Sequence, residues 1–166
     1  MRRMGKNCWN NKNWKKYGGI WVLVLSLMFS MLLPVAAKAS VSCSDLNDAV
    51  YATKASGLKK MKASKTCTFL SYSNRKKVDD FAYASDSKQI YVVCIVKAGS
   101  SSDAKKIKSQ FDSNKKDAVN NSYLSSAERK IAKSARYGSK GNYVWYLSLG
   151  SSSANKKAEK AIKKLL

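Results

Sequence analysis

The chain has 166 residues, 32 of them Lys or Arg against 10 Asp or Glu, and no histidine, for a formal net charge of +22. Without an imidazole, no Ser-His-Asp or Cys-His catalytic pair and no His-ligated metal site can be built. At 45% apolar and 25% charged, with one proline and eight glycines, the composition is that of a folded domain and excludes a disordered or collagenous chain.

Residues 1–19 carry Arg2, Arg3, Lys6, Lys12, Lys15 and Lys16 and no acid, and an apolar run over 20–37 follows, interrupted only by Ser26, Ser30 and Pro34. A basic n-region (1–19) ahead of an apolar h-region (20–37) is the pattern of a signal peptide. The small residues of Ala37-Lys38-Ala39 place cleavage after Ala39, leaving 40–166 as a single exported domain. The competing reading keeps the run as an N-terminal membrane anchor with the domain outside. Lipidation at Cys43 is disfavoured, because Ser40 stands where a large aliphatic residue is usual. Seven of the 32 basic residues and none of the 10 acids fall in 1–39, so the remainder holds 25 against 10, a net charge of +15.

Ser44 is positioned to cap a first helix whose Leu46, Ala49, Val50 and Thr53 share a face, with Gly57 as its terminator. Lys59, Lys60, Lys62 and Lys65 read as a solvated run around Met61. Thr66 to Tyr72 reads as a short strand or extended segment, and Val78 to Tyr83 as a further turn of helix. Ile90 to Val96 is β-branched and apolar on both faces, which predicts a central strand covered from two sides. The serines at 100–102 cap a helix from about Asp103 to Asn120 with Ala104, Ile107, Phe111 and Ala118 inward. Ser125-x-x-Glu128 fits a capping box opening a helix that turns Leu124, Ala127, Ile131 and Ala135 inward. A turn over Gly138 to Asn142 then leads into a strand over Tyr143 to Leu149 that pairs back as a hairpin. The last helix puts Ala154, Ala158, Ala161, Ile162 and Leu165 on one side and Lys156, Lys157, Lys160, Lys163 and Lys164 on the other.

This order predicts an α+β domain: a small, mostly antiparallel sheet of about three strands packed with three to four helices on at least one face. Several of these features taken together (a strand ending in Ile95-Val96-Lys97, a helix opening near Asp103, Tyr123 with Ser125-x-x-Glu128, Lys140-Gly141-Asn142-Tyr143-Val144, and Ala158-Glu159-Lys160-Ala161) also carry a resemblance. From roughly Asp86 to Leu166 the chain resembles a family of small exported proteins and lipoproteins of Gram-positive bacteria catalogued only as a domain of unknown function. The resemblance implies export and an α+β fold; it implies no activity, cofactor or site residue.

Candidate chemistry is sparse. Cys94, mid-strand, reads as a buried small hydrophobe. Cys43 and Cys67 are candidates for a disulfide in an exported protein, or free thiols. Asp79-Asp80 is the only adjacent acidic pair, and local ion pairs with Arg75, Lys76 and Lys77 explain it better than acid-base catalysis. The glycines form neither a phosphate loop nor a dinucleotide fingerprint, and Gly138 and Gly141 read as turn residues. Tyr143, Trp145 and Tyr146 fit core packing better than an exposed stacking platform. No catalytic constellation, metal site or cofactor is expected, and the chain is read as a non-enzyme. The basic surface remains: Lys156, Lys157, Lys160, Lys163 and Lys164 on the last helix, with Lys105 and Lys106, are the candidate polyanion-binding residues. Lysine is a hydrated point charge suited to diffuse attraction, and outside a Gram-positive cell the abundant polyanions are wall polymers and anionic lipid headgroups. Nucleic acid is not expected of an exported domain. The competing functions are a module that binds a protein partner in the envelope and a hydrolase whose residues meet only in the fold.

Overall fold

A computed structural model describes residues 40–54, 61 and 63–166. The first helix, α1 (Cys43–Ala52), is capped by Ser42, two residues earlier than its sequence suggests. The Ser42 hydroxyl accepts from the Asp45 N–H at 3.0 Å while the Asp45 carboxylate accepts from the Ser42 N–H, a reciprocal box that Ser44 has no partner to form. Cys43, Leu46 and Val50 are its buried residues. Gly57 lies outside the described residues, and so do the n-region, the h-region and the cleavage site.

The stretch Thr66 to Tyr72 is neither strand nor extended segment. It is a series of turns that buries Cys67, Phe69 and Leu70 and ends in a short helix, α2 (Tyr72–Arg75), capped by Ser71. The expected turn of helix over Val78 to Tyr83 is instead a strand, β1 (Val78–Ser85). It pairs antiparallel with β2 (Val92–Ala98) from Val78↔Ala98 to Ser85↔Val92, with an irregularity between Val78 and Asp80. A full ladder along the open edge of β2 outweighs the weak local pattern of this segment, and strand preference is set by such context.

Beyond β2 run α3 (Ser101–Asn120) and α4 (Ser126–Ser134), capped by Ser100 and Ser125, the latter with the Glu128 box in place. Ala104, Ile107 and Phe111 are the buried residues of α3. At α4 Ala135 is buried and Leu124 and Ile131 half-buried, as expected, but Ala127 is exposed and Ala132 is buried. The hairpin follows as β3 (Arg136–Lys140) and β4 (Tyr143–Ser148), and α5 (Ser152–Leu165) closes the fold. The turn is shorter than the sequence suggests. Gly141, at φ +58°, supplies the left-handed residue, whereas Gly138 belongs to β3. Gly138 is required there for a different reason, since a Cβ would lie 2.7 Å from Cζ2 of Trp145, its cross-strand partner.

The protein is α+β, with a four-stranded antiparallel sheet in the order β1-β2-β4-β3 and, among the described residues, five helices, one strand and one helix more than expected. Both faces of the sheet are covered. Val92, Cys94, Val96, Val144 and Tyr146 pack with Phe69, Ile107 and Phe111 on one side; Val93, Ile95, Trp145 and Leu147 pack with Leu46, Val50, Ala158 and Ile162 on the other. α3, with α4 against it, therefore covers one face, and α1 and α5 cover the other. Trp145 and Tyr146 are core, as their sequence setting suggests. Among the described residues no helix is long and apolar enough to cross a membrane.

Asn155 is a polar fastener inside this core. It is fully buried, its Oδ1 accepting from the Leu149 N–H and its Nδ2 donating to the Ser134 carbonyl, both at 2.8 Å. It thereby ties α5 to the end of β4 and to the end of α4. Replacing it leaves a buried donor and a carbonyl unpaired, each costing about 1–3 kcal/mol. Asn155→Ala is therefore expected to lower unfolding free energy by roughly 2 kcal/mol or more in urea titrations. Gly138→Ala is expected to cost about 1–3 kcal/mol through overpacking against Trp145. The same assay checks it, and the near-ultraviolet dichroism of Trp145 is expected to change with it.

Candidate polyanion-binding face

α5 begins where the Ser151 hydroxyl accepts from the Ala154 N–H at 3.2 Å. Its buried positions Ala154, Ala158 and Ile162 are spaced four apart and lie against the sheet. That orientation leaves Lys156, Lys157, Lys160, Lys163 and Lys164 all exposed. Leu165, expected on the inner side, is 40% exposed at the helix end. Lys163 and Lys164 sit in the last turn, where they also complement the carbonyl end of the helix dipole.

The one acid of α5, Glu159, is drawn beneath this surface. It is 7% exposed and held by Arg136 Nε from β3 and by Lys163 Nζ at 2.8 Å. Burial pushes its carboxyl up, but the hydrogen bonds from Lys163 and Arg136 outweigh it and leave Glu159 below the ordinary glutamate range. Lys156, Lys157, Lys160 and Lys164 form no ion pair among the described residues. Arg136, Lys156, Glu159, Lys160 and Lys163 line a shallow cleft of about 320 Å³. Lys140, at the end of β3, reaches the same region and donates to the Lys163 carbonyl. The tertiary structure thus adds Arg136 and Lys140 to the candidate face. Nothing in the sequence marks them, because β3 meets α5 only through the hairpin.

Lys105 and Lys106 are exposed but belong to α3, across the sheet from α5, so the seven candidate lysines form two separate surfaces. The α3 surface is more self-neutralised: Lys106 lies 3.8 Å from Asp103 and Lys116 2.7 Å from Asp112, while Lys115 donates to the Ala135 carbonyl. Of the other described arginines, Arg129 donates to the Leu124 carbonyl, and Arg75 lies over the Tyr72 ring.

Of the two readings of Cys43 and Cys67, the structure has the free thiols and not the disulfide: Cys43 is buried with α1 on one face of the sheet, Cys67 on the other. Nor does Asp79-Asp80 form ion pairs with Arg75, Lys76 or Lys77 among the described residues. Asp80 instead accepts from the Cys43 N–H at 2.7 Å, and Asp79 lies beside Gly99. A bare helix N–H is the stronger partner here because it is fixed and partly buried, whereas those cations keep their hydration.

A cavity of about 670 Å³ runs between the 68–71 turns and the C-terminal half of α3. Two of the carboxamides that line it are occupied structurally: Gln110 and Asn114 both donate to the Phe69 carbonyl, and Gln110 also accepts from Asn74. Among the described residues no three of His, Cys, Asp or Glu gather as a metal site requires.

Because the folded chain holds the Glu159 carboxylate below its ordinary value of 4.5, the associated stability is present above that pH. It is lost as pH falls through the lower folded value. Urea unfolding across the acid range is expected to show this slope in the native protein and a shallower one in Glu159→Gln.

No family model, curated protein or solved structure matches the chain. The resemblance to small exported proteins therefore stands on its sequence pattern alone.

Proposed function

We propose that residues 40–166 are an exported, non-enzymatic domain that associates electrostatically with the anionic cell envelope through the outer face of α5. The observation that carries this reading is the separation of charge on that helix: five exposed lysines, joined by Arg136 and Lys140, with the only acid of the helix buried and neutralised beneath them. The basic leader and apolar run over 1–37 support export, and export decides which polyanions the domain meets. Phosphate is the shared chemistry of the candidate ligands, whether on wall polymers or lipid headgroups. A lysine near an anionic membrane contributes about 1 kcal/mol, and such contacts are screened within about 10 Å at 0.1 M salt. Affinity then grows with the number of lysines engaged and needs no shaped pocket.

The test is co-sedimentation of the protein with purified cell walls, with anionic vesicles and with zwitterionic vesicles, each at low and high salt. Binding to walls or anionic vesicles at low salt, weakened by salt and absent from zwitterionic vesicles, is expected. Combining Lys156→Ala, Lys160→Ala and Lys164→Ala is expected to lower partitioning on the order of 100-fold, from about 1 kcal/mol per lysine. Lys105→Ala with Lys106→Ala is expected to have a smaller effect. Absence of binding at low salt, or loss that is equal for the two lysine surfaces, sinks the reading.

A further inference from the structure

Cys67 and Cys94 are 27 residues apart in sequence, yet their Sγ atoms lie 3.5 Å apart inside one hydrophobic cluster. That is van der Waals contact, and a disulfide needs the sulfurs to close further, to about 2.05 Å. Their positions are held independently. Cys94 is fully buried in the middle of β2, paired with Tyr83 on one side and Tyr146 on the other. Cys67 rides on the 66–70 turns, which are pinned by the buried Phe69 and Leu70. The Phe69 ring lies 4.7 Å from that of Tyr146, and its carbonyl accepts from both Gln110 and Asn114. The two thiols are thus presented to each other by the fold. Cys43 is excluded from this pair by the sheet itself, and its thiol donates to the Asp80 carbonyl.

We propose that Cys67 and Cys94 are a site of thiol oxidation, closing to an intramolecular disulfide by exchange with a small-molecule disulfide such as oxidised glutathione. Access is through a cavity of about 210 Å³ that Cys67 lines together with Lys65, Arg75, Asp79 and Phe81. Two cations against one acid favour an anionic oxidant there. Cys67 is the attacking thiol: the hydrogen bond from Cys94 holds it below the ordinary thiol range, aided by the backbone N–H groups of Leu70 and Phe69 and opposed by burial. Burial pushes Cys94 up. In the first step the Cys67 thiolate attacks the oxidant, forming a bond to one of its sulfurs and expelling the other as a thiolate. In the second, Cys94 loses its proton and attacks Cys67 Sγ, expelling the second oxidant thiolate. The two protons leave on the two expelled thiols, the protein is oxidised by two electrons and the oxidant is reduced by two. The product ties the 66–70 turns to β2. This inference rests on the placement of the two thiols and is independent of polyanion binding.

The experiment exposes the folded full chain to oxidised glutathione, alkylates remaining thiols under denaturing conditions, digests with trypsin without reductant and maps the peptides by mass. Cleavage after Lys65, Arg75, Lys88 and Lys97 puts Cys67 in peptide 66–75 and Cys94 in peptide 89–97. The expected result is these two peptides joined, two hydrogens lighter than their sum, with the Cys43 peptide alkylated. In Cys94→Ser, Cys67 is expected to stop at the mixed disulfide with glutathione; in Cys67→Ser, Cys94 is expected to remain a free thiol. Peptides 66–75 and 89–97 each recovered as the alkylated thiol, or Cys67 joined to Cys43, overturns the proposal. The native-chain map decides it even where a variant fails to fold.

Discussion

β2 and β4, paired at the centre of the sheet, are apolar on both faces. Val92, Val93, Cys94, Ile95 and Val96 are all fully buried, and Trp145 and Leu147 of β4 are buried with them. Apolar strands of this kind are stable only when both faces are taken out of water. One helical layer does not suffice, so α3 lies on one side and α1 with α5 on the other. Each helix must then spend its apolar stripe on the sheet, and its lysines have only the solvent side left. The charged outer surfaces follow from the two-sided strands at the centre.

The edge strands show the same hierarchy. β1 has no strong strand pattern of its own and forms because β2 presents an unpaired edge, and its Asp80 then becomes the partner of the first N–H of α1. β3 is shaped from the opposite direction. The indole of Trp145 occupies the space where a side chain at 138 would stand, so a glycine sits in a strand. An acid read as a partner for nearby cations and a glycine read as a turn residue both take their roles from neighbours distant in sequence or across a strand pair.

Charge is organised more by burial than by number. The Glu159 carboxylate sits beneath the lysines of α5, with Arg136 and Lys163 on either side of it, and this orders part of the basic face while removing the only negative charge of that helix from the surface. On α3 acids and lysines alternate at the surface and pair one turn apart, so a similar number of lysines yields a weaker field. The difference between the two helices lies in where the acid points, which sequence counts do not report.

The α+β class, the central strand, the long helix and its serine cap, the Ser125-Glu128 box, the hairpin and the lysine stripe of α5 are all legible in the amino-acid order. Each of these is written in local period or capping chemistry, which acts over a few residues. Tertiary structure alone decided that Val78–Ser85 is a strand, that the 66–70 segment is a set of buried turns, and that Arg136 and Lys140 join the α5 face while Lys105 and Lys106 do not. It also decided which cysteines meet: Cys67 lies against Cys94, and Cys43 is across the sheet. The physical reason is common to all of these. An edge ladder, a contact between thiols and the union of two basic elements are set by which surfaces the core brings together, and that is a property of the packed chain as a whole.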